Sequence, residues 1–172
     1  DDIYVSGNLG DSYLGLLILK NKIKINNPLK KYFINQYFMP NIQSKLTDQI
    51  NKFANTSIDI SDGLLADLDK MINNQKLSYK LFLEDIPISN NLSRILDLKN
   101  LPKVNYVSNG DDYQILFTAS KNKARIIKKI ASDYSVKLTK IGLIQSNVEK
   151  SSIINDKNMQ ISLKNKGHFH KF

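Results

Sequence analysis

Apolar and polar positions alternate at two different periods along this chain, and the switches between them mark out its elements. Ile3-Tyr4-Val5 reads as a strand, followed by the glycine-punctuated turn Ser6-Gly7-Asn8-Leu9-Gly10. Leu14, Leu17 and Ile18 then share a helical face, with Asp11 or Ser12 placed to cap it. Asn26-Asn27-Pro28 breaks the chain. Leu29, Tyr32, Phe33 and Tyr37 form a second helical stripe that ends near Met39-Pro40, and Ile42, Leu46, Ile50, Phe53 and Ala54 form a third. Ser78 to Leu83 alternate as a strand, and Leu92, Ile95 and Leu96 mark a short helix. A loop over Asn100 to Lys103 follows, and the residues from Tyr113 read as a buried strand. Ala124, Ile127, Ile130, Ala131 and Tyr134 make the last clear helix. Leu138 to Ile144 is a strand, and Ile153-Ile154 with Met159 to Leu163 reads as a hairpin across Asn155 to Asn158. Helices interspersed with partly hairpin-connected strands predict an α+β fold, helices layered on a mixed or antiparallel sheet. No internal repeat or long linker divides the 172 residues, enough for one domain with its own core.

The sharpest change of period lies between Ser57 and Leu68. Ser57 to Ile60 alternate as a short strand with Ile58 and Ile60 facing a core. From Leu64 the apolar positions Leu64, Leu65, Leu68, Met71 and Ile72 follow a helical stripe, with Gly63 at the switch. Strand alternation sends Asp59 and Ser61 away from the core together, and Asp62 follows at the helix N-terminus beside backbone N–H groups expected to be unpaired. Carboxylates, a hydroxyl and amides at one turn suit a magnesium ion holding a polyphosphate. The same residues also suit a plainer reading, in which Asp62 caps the helix and Asp59 is solvated.

A second acidic stretch is Val107-Ser108-Asn109-Gly110-Asp111-Asp112-Tyr113. Asn-Gly signals a tight turn with positive φ. It leaves Asp111 and Asp112 at a strand mouth, where paired acids bind metal, accept a proton or cap the turn. Both histidines, His168 and His170, lie in the Lys-rich tail. With no third soft ligand nearby, they read as a polar chain end before a metal site.

Composition narrows the field. There is no Cys, which excludes disulfides, thiol nucleophiles and thiolate zinc sites. The 25 Lys and Arg against 16 Asp and Glu give a net charge of +9. Lysine is spread along the chain without interleaved aromatics, so solvated faces are a better account than a nucleic-acid surface, and the field would still recruit anionic phosphates. No apolar run approaches the roughly 18–20 residues of a membrane span. A soluble cytoplasmic protein is expected, with no membrane and no nucleic-acid partner. The opening Asp1-Asp2-Ile3-Tyr4 lacks an initiating Met and already reads as strand, as a chain cut near a domain boundary would.

Four segments, in order, resemble bacterial thiamine-monophosphate kinases, in the superfamily that also holds aminoimidazole ribonucleotide synthetase and selenophosphate synthetase. They are Asp2 to Ser12, Ser57 to Leu68 (the most specific, Asp-Ile-Ser-Asp-Gly-Leu-Leu-Ala-Asp-Leu), Ser108 to Thr118 and Gly167 to His170. The resemblance implies a PurM-like C-terminal domain spanning residues 1–172 of a longer protein, whose N-terminal domain would add most metal ligands and form a homodimer. It implies transfer of the ATP γ-phosphate to thiamine monophosphate, giving thiamine diphosphate. It casts Asp59 and Asp62 as magnesium ligands, Ser61 as a contact to the nucleotide phosphates, and Asp111 and His168 as substrate-binding residues. No residue is cast as nucleophile or strong base, and the chain alone is expected to be inactive. The departures fall on the substrate side: Asp111 stands for a Glu, His168 for a larger ring, Asn109 for a Gly, Gln114 for a Glu, and the segment through Gln43 lacks the family's arginines. They leave open a relative acting on another small molecule, or a basic binding domain without catalysis.

Overall fold

Asp2–Ser6 forms β1, buried along its whole length because strands flank it on both sides and apolar layers cover both its faces. In the computed structural model, which describes residues 1–26, 28–73, 75–146 and 150–161, it is the third strand of a six-stranded sheet. The others are β2 (Thr56–Asp59), β3 (Leu77–Phe82), β4 (Ile115–Ala119), β5 (Leu138–Ser146) and β6 (Ser152–Ile154), in the order β2-β4-β1-β5-β3-β6. All neighbours are antiparallel except β3 and β6, which makes the sheet mixed, as the sequence predicts.

Alternation along β1 divides the core. Ile3 and Val5 join Leu116 and the apolar stripe of α3 (Leu64–Met71) on one face. Tyr4 points to the other, where it stacks on Phe117 at 5.2 Å and 7° and meets Ile127 and Ile130 of α6 (Ala124–Asp133). A third cluster joins α1 (Asp11–Leu19), α2 (Leu29–Phe38), α4 (Asn90–Lys99) and α5 (Val104–Val107) through Leu14, Phe33, Leu92 and Tyr106. Ser89 caps α4 by accepting the Leu92 N–H at 3.0 Å. Among the described residues no helix is long and apolar enough to cross a membrane.

Several elements depart from the pattern. The third predicted stripe is two 3₁₀ turns, Ser44–Leu46 and Ile50–Lys52. Leu46 and Phe53 are buried but Ile42 is exposed. Thr47, Asp48, Asn51 and Asn55 are weak helix formers that interrupt the run. α5 is an added turn of helix just after the predicted loop. β6 pairs first with β3, in parallel, and the return arm follows: Ile161 N–H donates to Ile153 O at 2.8 Å. The remainder of the predicted hairpin, 162 and 163, lies outside the described residues.

Candidate active site at the junction of two acidic turns

The first acidic stretch leaves β2 at the edge of the sheet, where Asp59 is opposite Ile115 of β4. The two chains stay paired beyond the strands. Ile60 N–H donates to Gln114 O at 2.8 Å, Tyr113 N–H to Ile60 O at 2.9 Å, and Asp111 N–H to Ser61 O at 3.0 Å. Two glycines let the turns close. A Cβ on Gly110 would stand 2.0 Å from Ser61 O, and one on Gly63, whose φ is +126°, would stand 2.3 Å from Ser108 O. The predicted positive φ of the Asn109-Gly110 turn falls instead on Asp111 (68°) and Tyr113 (50°). Gly110 is there for the close approach.

Backbone pairing therefore brings Asp59, Ser61, Asp62 and Asp111 to one corner. Asp59 is exposed, and Ser61, Asp62 and Asp111 are half-buried, so no apolar wall seals either proposed metal ligand. His168 lies outside the described residues. Beside the corner, a groove of about 640 Å³ is lined by Tyr13, Tyr106, Ser108 and Asn109, with Ile161, the last described residue, at its wall.

The amides of this turn are not free, which corrects the sequence reading. Asp67, fully buried on the first turns of α3, accepts the N–H groups of Ser61, Asp62 and Gly63 on one oxygen, Oδ2, at 3.0, 3.0 and 3.1 Å. Its own N–H closes the helix onto Gly63 O at 2.9 Å. A carboxylate at the positive end of a helix satisfies donors that would otherwise meet a phosphate. A clue was present in the sequence, an acid set among the apolar residues Leu64, Leu65, Leu68 and Met71. The other Asp67 oxygen, Oδ1, accepts from Lys70 Nζ at 2.7 Å, and the same ammonium reaches Asp62 Oδ2 at 2.5 Å. Hydrogen bonds to Asp62 and then Asp67 hold the Lys70 ammonium above its ordinary pKa.

The neighbouring acids Asp111 and Asp112 part company. Asp112 turns inward, where Oδ2 accepts Gly10 N–H at 2.8 Å and Oδ1 accepts Ser12 N–H at 3.4 Å. It thus caps α1 from about a hundred residues away in the sequence. Asp11 and Ser12, predicted to cap this helix, lie inside its first turn: Asp11 accepts from Ser89 Oγ and Tyr32 Oη at 2.7 and 2.8 Å, and Ser12 Oγ donates to Gln36 O. Burial pushes the Asp112 carboxyl up to about 8 against the pull of those two N–H groups, with Asp11 adding to the rise. Burial also raises Asp11. Gln114, 4% exposed, accepts Ser6 Oγ at 2.9 Å and donates to Asn41 O at 2.8 Å, tying down the loop that carries Gln43. The amide is needed there as a donor, which accounts physically for a Gln where the family resemblance implies Glu.

No protein-family profile matches the chain. Individual relatives do. It is 36% identical over 172 residues to the thiamine-monophosphate kinase of Buchnera aphidicola subsp. Acyrthosiphon pisum, covering 99% of this chain and 52% of that one. It is 33% identical over 124 residues to the enzyme of Aquifex aeolicus. The chain belongs to the thiamine-monophosphate kinase family. Structures agree. The thiamine-monophosphate kinase of Stenotrophomonas maltophilia superposes with a TM-score of 0.77 at 27% identity, over 91% of this chain and 50% of that one. AaThiL complexed with AMPPCP and TMP gives 0.76 at 28%, over 98% and 51%. Escherichia coli HypE, a hydrogenase maturation protein, shares the fold alone, at 14% identity and a TM-score of 0.63. The fold is PurM-like. The chain spans about half the length of the curated relatives it matches.

Proposed function

We propose that this chain is the C-terminal half of a thiamine-monophosphate kinase, which transfers the ATP γ-phosphate to thiamine monophosphate and releases thiamine diphosphate and ADP. The observation that carries this is the corner itself. Two acidic stretches that resemble the family's motifs, 50 residues apart, are locked backbone to backbone, with glycines where no side chain fits. The similar AaThiL structure, which holds AMPPCP and TMP, supports the choice of nucleotide and acceptor.

Asp59 and Asp62 would hold magnesium, whose chemistry is to neutralise phosphate charge and align the in-line displacement. Their hard carboxylate oxygens fit that ion. Among the described residues no group of three or more His, Cys, Asp or Glu side chains gathers to hold a metal, so these residues supply at most part of a coordination shell. The rest would come from phosphate, water and the N-terminal half, which would also make the dimer. Ser61 would contact phosphate through its hydroxyl, since its N–H is spent on Asp67. Asp111, beside the Tyr13 and Tyr106 groove, and His168 would bind the acceptor. Nothing in the chain needs to act as a strong base, because the acceptor is already a phosphate oxyanion.

The test is thiamine diphosphate formation by the full-length protein, with Asp59→Asn and Asp62→Asn beside it. Turnover that requires magnesium and thiamine monophosphate, and that falls by orders of magnitude in both variants, is expected. The isolated chain should form little or none. Turnover unchanged in both variants would overturn the ligand assignment, and product made by the chain alone would overturn its expected inactivity.

A further inference from the structure

Lys70 occupies the oxygen that a metal at Asp62 would use. Its Nζ lies 2.5 Å from Asp62 Oδ2 and 2.7 Å from Asp67 Oδ1. Asp67 cannot follow Asp62 outward, because Oδ2 of the same carboxylate is fixed by three backbone N–H groups and the side chain is fully buried. The ammonium is therefore moored on a rigid post and leans on a half-buried ligand. We propose that Lys70 is a built-in counter-ion of this metal site, which gives up Asp62 when the divalent cation arrives and stays tethered to Asp67. The inference rests on the reading of Asp59 and Asp62 as metal ligands.

Physical reasons favour exchange over sharing. Magnesium binds oxygen at about 2.0–2.1 Å and demands near-octahedral geometry. An ammonium on the same oxygen would set two cations within a few ångströms of each other, where repulsion is strong and little screened. Lys70 is half exposed on its long stem, so it can swing while Asp67 Oδ1 retains it. Without metal, the exchange keeps Asp62 neutralised and in place beside Asp67, which would otherwise face it as a like charge. Lys70 thereby sets how readily the site loads.

The experiment is titration of the full-length protein with manganese, following free Mn²⁺ by electron paramagnetic resonance, for the parent, Lys70→Met, Lys70→Arg, Asp62→Asn and Lys70→Met/Asp62→Asn. Lys70→Met is expected to bind Mn²⁺ on the order of tenfold more tightly, the low end of the size by which outer-shell partners change metal affinity, here with the sign reversed because the partner competes with the metal. Lys70→Arg, which keeps the charge, should show no gain. Amide hydrogen exchange at 61–63 should stay as slow in Lys70→Met as in the parent, showing that the turn still stands on Asp67. Binding unchanged or weakened in a folded Lys70→Met, including no measurable binding in either form, overturns the counter-ion role. A gain that survives in the double variant would place the metal away from Asp62, and it is the ligand assignment that would then fail.

Discussion

Gly110 and Ser61 touch with no space for a side chain between them: a Cβ on Gly110 would sit 2.0 Å from the Ser61 carbonyl oxygen and 2.8 Å from the Asp62 carbonyl carbon. The contact is backbone on backbone, so no rotamer change can relieve it. Gly110→Ala is expected to pry the two acidic turns apart, at about 1–3 kcal/mol, the range for overpacking a closed site. Urea unfolding measures the loss. Turnover of the full-length enzyme should drop further than stability does, because the Asp59–Asp62 turn is displaced from Asp111.

Asp67→Ala should be among the most damaging single changes in the chain. It strands three backbone N–H groups in a half-buried turn and leaves Lys70 on Asp62 alone. Breaking a buried charged network by removing one partner costs roughly 3–5 kcal/mol. Asp67→Asn, which keeps one acceptor oxygen, should cost less. Hydrogen exchange at 61, 62 and 63 is the specific readout, and it should accelerate in both variants relative to the sheet amides.

Asp112 predicts a direction for stability against pH. Its carboxyl stands near 8 in the fold and near 4 in an unfolded chain, so the folded state holds an extra proton between those values. That contribution is fully present below pH 4 and is lost as pH rises through 8. Asp11, raised by burial, acts with the same sign. The urea midpoint is expected to fall between pH 5 and pH 8, and Asp112→Asn, which cannot ionise and keeps one oxygen for the shorter Gly10 N–H bond while giving up the longer one to Ser12 N–H, should flatten that slope.

Gln114→Glu would restore the acid that the family resemblance implies at this position. It would also aim a carboxylate at Asn41 O, where the amide now donates, in a site only 4% exposed. The expected loss is about 1–3 kcal/mol for a buried group left without its partner. A lower thermal midpoint, partly recovered at acid pH as the carboxyl takes up a proton, checks this.

The elements legible in the sequence were those with a strong period. β1, α2, α3, α6 and β5 appear where Ile3 to Val5, Leu29 to Tyr37, Leu64 to Met71, Ala124 to Tyr134 and Leu138 to Ile144 place them. What a linear pattern cannot carry is which partner satisfies a polar group. Asp11 and Ser12 looked like caps because they stand where caps stand, yet the cap comes from Asp112 across the fold. The amides at 61–63 looked free because the residue that binds them sits one helical turn later, among apolar neighbours that suggest only packing. Proximity of Ser57–Asp62 to Ser108–Asp112 was likewise hidden, since about 50 residues and four elements of the fold, α3, β3, α4 and α5, separate them.

β1 is the earliest strand in the chain and pairs with two of the later ones, Asp2 with Ala119 and with Leu143. Its hydrogen-bonding edges and its apolar side chains must wait until the ribosome has delivered both partners. Assembly of this sheet is consequently dominated by long loop closures, which slow the search and prolong exposure of Ile3, Tyr4 and Val5. The interval between synthesis of residue 6 and emergence of residue 146 is when a chaperone would matter most to this protein.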